Sequence, residues 1–117
     1  MPYFYKDEFV DYEPSDGIYI HKSEGKMFYI CIDGEIGDYS IDGDFISHEG
    51  LCDETQMPYF GMLRPFLNEH IDGIRNFDRD TLDIIVRSIE RTYKIYLEFC
   101  DHLSNELRGG SNTKSAK

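Results

Sequence analysis

"GIYIHKSEGKMFYICIDGEIGDYSIDGDFISH", residues 17–48, sets the architecture. "GIYIH" and "KMFYICI" are rich in β-branched and aromatic residues, and the turn glycine Gly25 lies between them. On a strand, Met27, Tyr29 and Cys31 face one way, and Phe28, Ile30 and Ile32 face the other. Asp33-Gly34 and Asp42-Gly43 are hairpin-turn dipeptides. They flank "EIGDYSI" and precede "DFISH", so the spacing predicts an antiparallel meander over residues 17–48. The opening "YFYKDEFVDYE" adds an edge strand or packs as an extended arm.

From Pro58 the apolar period becomes helical. "PYFGMLRPFLNEHIDGI" reads as two short pieces, broken at Arg64 because Pro65 disfavours helix in the residue before it. Gly73 closes the second piece. A long helix then starts at the capping residue Asp80, with Asp83 in its first turn. Leu82, Ile85, Val86, Ile89, Tyr93, Tyr96, Leu97, Cys100 and Leu107 form one apolar face, and Gly109-Gly110 stops the helix. At 1.5 Å per residue it is about 40 Å long, a lid for one face of the sheet. The expected fold class is α+β: an N-terminal antiparallel β-meander packed against C-terminal helices, one of them long. Residues 1–110 form a single domain, and 111–117, "SNTKSAK", a flexible tail.

The 117 residues are enough for one domain with a core of its own. No apolar run approaches the ~20 residues of a membrane span. The first residues have acids where a signal peptide has a basic end, so a cytoplasmic protein is expected. Cys31, Cys52 and Cys100 are odd in number and contain no Cys-x-x-Cys pair, as expected of reduced thiols. His48 and Cys52 are spaced like half of a zinc site, but no other histidine or cysteine completes it, and no cofactor or metal is expected.

The net charge is −11, and it is segregated. Residues 1–54 hold 14 acids: Asp7, Glu8, Asp11, Glu13, Asp16, Glu24, Asp33, Glu35, Asp38, Asp42, Asp44, Glu49, Asp53 and Glu54. The same half has three bases, Lys6, Lys22 and Lys26, whereas residues 55–117 balance nine acids with nine bases. Charge confined to one half produces a directed field that solubility alone does not require.

Two chemistries compete for the acids. "DYSIDGDFISHE", residues 38–49, has the layout of an EF-hand calcium loop, with Asp38, Ser40, Asp42, Gly43 and Glu49 at ligand and turn positions. Its flanks, "YICIDGEIG" and "GLCDETQMP", are poor helices, and Ile46 stands at the ninth position, which is usually polar. Clustered carboxylates could also hold Mg²⁺ in a nucleic-acid enzyme, but this half would repel the polyanionic substrate. With no phosphate loop or nucleophile elbow in the sequence, no enzyme activity is expected. The sheet instead displays Asp7, Glu8, Asp11, Glu13, Asp16, Glu24, Asp33, Glu35, Asp38, Asp42, Asp44 and Glu49 as an acidic face for a basic protein surface, with Tyr and Phe adding desolvating contacts.

The acidic, β-rich stretches "DYEPSDG" and "CIDGEIGDYSIDGDF", followed by the long helix "DTLDIIVRSIERTYKIYLEFC", resemble the small bacterial DNA-mimic proteins, and among them the family that binds the histone-like nucleoid protein HU. The resemblance covers nearly the whole chain in size, charge and character. It implies HU as partner and modulation of nucleoid packaging. Independently of it, a monomer with no direct contact with nucleic acid or membrane is expected. Immunity proteins and antitoxins that block nucleases share the same electrostatics and form the alternative, with the calcium protein as the alternative of another class.

Overall fold

The computed structural model describes residues 2–50 and 57–116, with side chains for 2–50 and 60–108. Cys52, Asp53 and Glu54 lie outside the described residues. Six strands form one antiparallel sheet: β1 (Tyr3–Tyr5), β2 (Glu8–Val10), β3 (Ile18–Lys22), β4 (Met27–Ile32), β5 (Glu35–Asp42) and β6 (Phe45–His48), in the spatial order β2-β1-β3-β4-β5-β6. The meander runs through β3–β6 as expected. The N-terminal stretch supplies a whole hairpin, with β1 beside β3 and β2 at the edge. Its turn, Lys6-Asp7, adopts φ of 50° and 69° without glycine. The β4–β5 turn is Asp33-Gly34, and the β5–β6 register leaves Gly43 and Asp44 in the last turn.

Register sorts the side chains. Phe4, Ile18, Ile20, Phe28, Ile30, Ile32, Tyr39, Ile41 and Ile46 point to one face and are buried against the helices. Tyr3, Tyr5, Tyr19, His21, Met27, Tyr29, Cys31, Ile36, Asp38 and Ser40 point to the other, which no helix among the described residues covers. The parity read for β4 therefore holds.

The helices are α1 (Met57–Glu69), α2 (Ile71–Arg75) and α3 (Arg79–Ala116). Two expected boundaries are corrected. α1 continues through Pro65 instead of breaking at Arg64. Pro65 lies on the exposed side while Phe60, Leu63 and Leu67 are buried, and those three at about 1.5–3 kcal/mol each outweigh the ~3 kcal/mol proline penalty. The break comes at His70. Gly73 lies inside α2, where a Cβ would come within 2.3 Å of Thr81, so its role is close α2–α3 packing and not a stop. Gly37 does the same for the sheet: a Cβ there would sit 2.7 Å from the Phe60 ring.

α3 departs furthest from expectation. It runs 38 residues, past Gly109-Gly110 to Ala116, so the helix covers most of the stretch expected as a tail. Glycine permits a stop only where the chain has somewhere to turn, and nothing described packs there. Leu82, Ile85, Val86 and Ile89 are buried on the sheet, and Tyr93 and Tyr96 are half-buried. Leu97, Cys100 and Leu107, expected on the buried face, are exposed. The reason is length: a 38-residue helix spans about 57 Å, and six strands at ~4.8 Å span at most about 29 Å.

Candidate functional site

The helix-free face of the sheet carries the site. Tyr3, His21, Tyr29 and Asp38 are cross-strand neighbours in one row over β1, β3, β4 and β5. The ring centroids of Tyr3 and His21 lie 4.9 Å apart, and those of His21 and Tyr29 4.8 Å. Tyr19 meets Tyr3 edge-on at 5.6 Å and Tyr5 at 6.4 Å, so five rings form a continuous platform. Tyr19 donates its hydroxyl to Glu13 Oε1 at 3.3 Å, which brings the segment after β2 onto the platform's border. Burial raises the pKa of the Tyr19 phenol and of the Cys31 thiol beside it, keeping both neutral.

Asp38 stands at the end of this row and is 5% exposed. Its Oδ1 is buried and has no hydrogen-bond partner among the described residues, and the same holds for His21 Nδ1. Both flank a cavity of about 490 Å³ with Tyr29, Glu35 and Ile36. Burial pushes the Asp38 carboxyl up and Glu49 pushes it further, against the pull of His48 and His21. Burial pulls the His21 imidazole down. A buried carboxylate with an orphaned oxygen costs about 1–3 kcal/mol, so this site is kept at the expense of stability. A cation that donates a hydrogen bond to Asp38 and stacks on a tyrosine face relieves that cost.

The other acids divide into two groups. Asp7, Asp33 and Asp44 are tied to the helices. Arg87 bridges Asp7 Oδ2 at 2.8 Å and Asp83 Oδ1 at 2.9 Å, Tyr93 donates to Asp33 Oδ2 at 2.8 Å, and Arg75 lies 3.5 Å from Asp44 Oδ1. Glu8, Asp11, Glu13, Asp16, Glu24, Glu35, Asp42 and Glu49 are exposed with no ion pair among the described residues. Of these, Glu13, Glu35 and Glu49 border the platform and its cavity. Glu24 and Asp42 lie at the opposite end of the sheet from Asp16. The acids therefore ring the sheet instead of lying on a single plane. The aromatic platform is what the charge pattern did not reveal, and its signal was parity: Tyr19 and His21, like Tyr29 and Cys31, share one side of the pleat.

The calcium geometry does not form. Residues 38–49 are a β-hairpin, so Asp38 and Asp42 are about 13 Å apart along β5. Glu49 instead accepts a 2.7 Å hydrogen bond from Ser40 Oγ. Among the described residues no group of three or more His, Cys, Asp or Glu is placed to hold a metal, and no helix is long and apolar enough to cross a membrane. Comparison of the chain with family models, curated proteins and solved structures gives no match in any of the three.

Proposed function

We propose that the chain is a binding module, not an enzyme, whose acidic sheet face occupies the DNA-contacting surface of a basic DNA-binding protein in the cytoplasm. The histone-like protein HU is the first candidate, on the resemblance described above. The observation that carries the reading is Asp38, a buried carboxylate with an unpartnered oxygen at the edge of an open cavity lined by His21 and Tyr29. Its chemistry fits one Lys or Arg side chain of a phosphate-binding surface, while Glu13, Glu35 and Glu49 around it fit the neighbouring cations of the same stripe. The rings supply contact area that salt does not screen.

The test is competition. The protein is titrated into a preformed complex of HU with a short DNA duplex, and DNA release is followed by fluorescence anisotropy. Displacement of DNA, with no binding of the protein to DNA alone, is the expected result. A stable ternary complex with DNA at full occupancy overturns the proposal.

A further inference from the structure

We propose that a cavity at one end of the sheet binds a small amphipathic carboxylate, its apolar body against Phe28, Ile41 and Ile74 and its head between Lys22 and Lys26. The antiparallel order β3-β4-β5-β6 brings the β3–β4 turn and the β5–β6 turn to the same end of the sheet. α2 closes the space between them. Arg75 at its end donates to the Gly43 carbonyl oxygen and lies 3.5 Å from Asp44 Oδ1, and Lys22 Nζ donates to the Arg75 carbonyl oxygen at 3.5 Å. The space enclosed is about 440 Å³, within the range of roughly 300–1,000 Å³ found for small-molecule sites. Phe28, Ile41 and Ile74 are buried core residues, so the floor is apolar. Lys22 is half-buried and Lys26 exposed, so the rim is cationic. Gly25 and Gly43 stand in the two turns, each with φ of 63°, and a Cβ at either would meet nothing within 4 Å, which leaves the mouth open.

Charge identifies the ligand. Residues 1–54 hold 14 acids and only three bases, and two of those bases, Lys22 and Lys26, line this one cavity. Arg75 joins them, against the single lining acid Asp44. The guanidinium of Arg75 is already engaged by Asp44, by Asp72 Oδ1 at 3.1 Å and by the Gly43 carbonyl, so it holds the wall in place. Neither lysine has an ion pair among the described residues. Both are positioned by the fold: the Ile41 N–H donates to the Lys26 carbonyl oxygen at 2.9 Å, and Lys22 Nζ lies 6.0 Å from the centroid of the Phe77 ring. Two ammonium point charges with free donors suit one compact anionic head, since the forked donor set that grips a phosphate from two sides is occupied. A head in contact with them feels these local charges first, because acids elsewhere are screened over about 8 Å at physiological ionic strength. A large polyanion would extend beyond the cavity and meet the repulsion of a chain carrying −11. The ligand is therefore small, singly charged and apolar at its other end.

Titration of the ¹⁵N-labelled protein with octanoate, octylammonium and acetate, followed by amide chemical shifts, tests this. Octylammonium keeps the apolar body and reverses the charge, and acetate keeps the head without the body. Octanoate should bind with a dissociation constant of about 1 mM and at least about tenfold tighter than either. Its shifts should centre on the amides of Gly25, Gly43 and Ile74. Lys22→Met with Lys26→Met keeps the apolar stems and should weaken octanoate at least about tenfold. Lys6→Met with Lys94→Met makes the same change in net charge, at the β1–β2 turn and on α3, outside the cavity lining, and should leave octanoate within about twofold of wild type. Equal weakening by the two pairs overturns the proposal, because the attraction would then belong to the whole chain. Octylammonium binding as tightly as octanoate overturns it too, as do shifts centred on another face, or none at about 10 mM octanoate, roughly ten times the expected dissociation constant. DNA displacement from HU uses the helix-free face and does not depend on this cavity, so either proposal can fail while the other stands.

Discussion

Tyr93 donates its hydroxyl proton to Asp33 Oδ2 at 2.8 Å, joining the middle of α3 to the turn between β4 and β5 across 60 residues of sequence. It is the last described hydrogen bond between α3 and the sheet, and beyond Tyr96 the helix leaves the domain. The carboxylate acceptor raises the Tyr93 phenol to about 12, because ionising it would place two negative charges side by side. Stability from this bond is fully present below the ordinary tyrosine value of about 10 and is lost as pH rises from there to about 12. Tyr93→Phe should cost about 1 kcal/mol at neutral pH, read by urea denaturation, and remove a tyrosine that titrates late in the ultraviolet spectrum. An unchanged midpoint would mean that the bond does not hold α3 in place.

What the sequence disclosed follows the strength of each local signal. Strand parity in "KMFYICI" is a strict two-residue alternation, and it put Phe28, Ile30 and Ile32 together on one face; that this face is the core follows only from the helices packed on it. Pro65 and Gly73 were read as breaks because local propensity says so, but Phe60, Leu63 and Leu67 hold α1 to the sheet through the proline, and Thr81 needs the space that Gly73 leaves. The apolar face of α3 was legible as a face. Where its cover ends was not, since that depends on the width of a sheet formed by residues at least 30 positions away. The acids were legible as charge. That Asp38 is buried while Glu35 and Glu49 are exposed required knowing which strand lies beside which.

Ile89 and Leu97 should therefore separate. Ile89 is fully buried, and Ile89→Ala should cost about 2–5 kcal/mol through the cavity it leaves. Leu97 is nearly half exposed, and Leu97→Ala should cost less than about 1 kcal/mol. Equal losses, measured by denaturant titration, would place the end of the covered segment further along α3.

Asp38→Asn should stabilise the protein. The ionised carboxylate is buried with one oxygen unpartnered, and its raised pKa means that the charged form is the less favourable one in the fold. That penalty is present above the folded-state pKa and disappears as pH falls through it toward the ordinary aspartate value of about 4. Relieving about 1 kcal/mol raises the melting temperature by roughly 4 °C for a domain of this size, so a gain of a few degrees is expected at pH 7 and little at pH 4. A loss of stability at pH 7 would show that Asp38 makes an interaction the folded domain requires.

Calcium should leave the protein unchanged. With Asp38 and Asp42 held about 13 Å apart on one strand, no single ion reaches both. A site of micromolar affinity would add about 4 kcal/mol at millimolar calcium. A melting shift of that size, abolished by Glu49→Gln, would require the β5–β6 hairpin to rearrange around the ion.

Charge reversal should distinguish the acids around the platform from acids elsewhere. Glu35 and Glu49 are exposed beside the Asp38 cavity and rim, and neither has an ion pair among the described residues. Replacing both with Lys changes the local field by four charges without breaking an ion pair within the protein, so folding stability should move by less than about 1 kcal/mol. On the proposed function, binding to HU should weaken at least tenfold at low salt, mainly through slower association, because long-range steering acts before contact. The defect should shrink as salt rises and the screening length falls to about 8 Å near physiological ionic strength. Glu69→Lys is the control: Glu69 is exposed at the end of α1, where a positive charge suits the helix terminus, and it should leave both stability and binding near wild type. Stopped-flow association of the three proteins with labelled HU gives the comparison. If Glu69→Lys slows association as much as the double variant does, the attraction is a property of the overall −11 charge, and the platform around Asp38 is not where the partner docks.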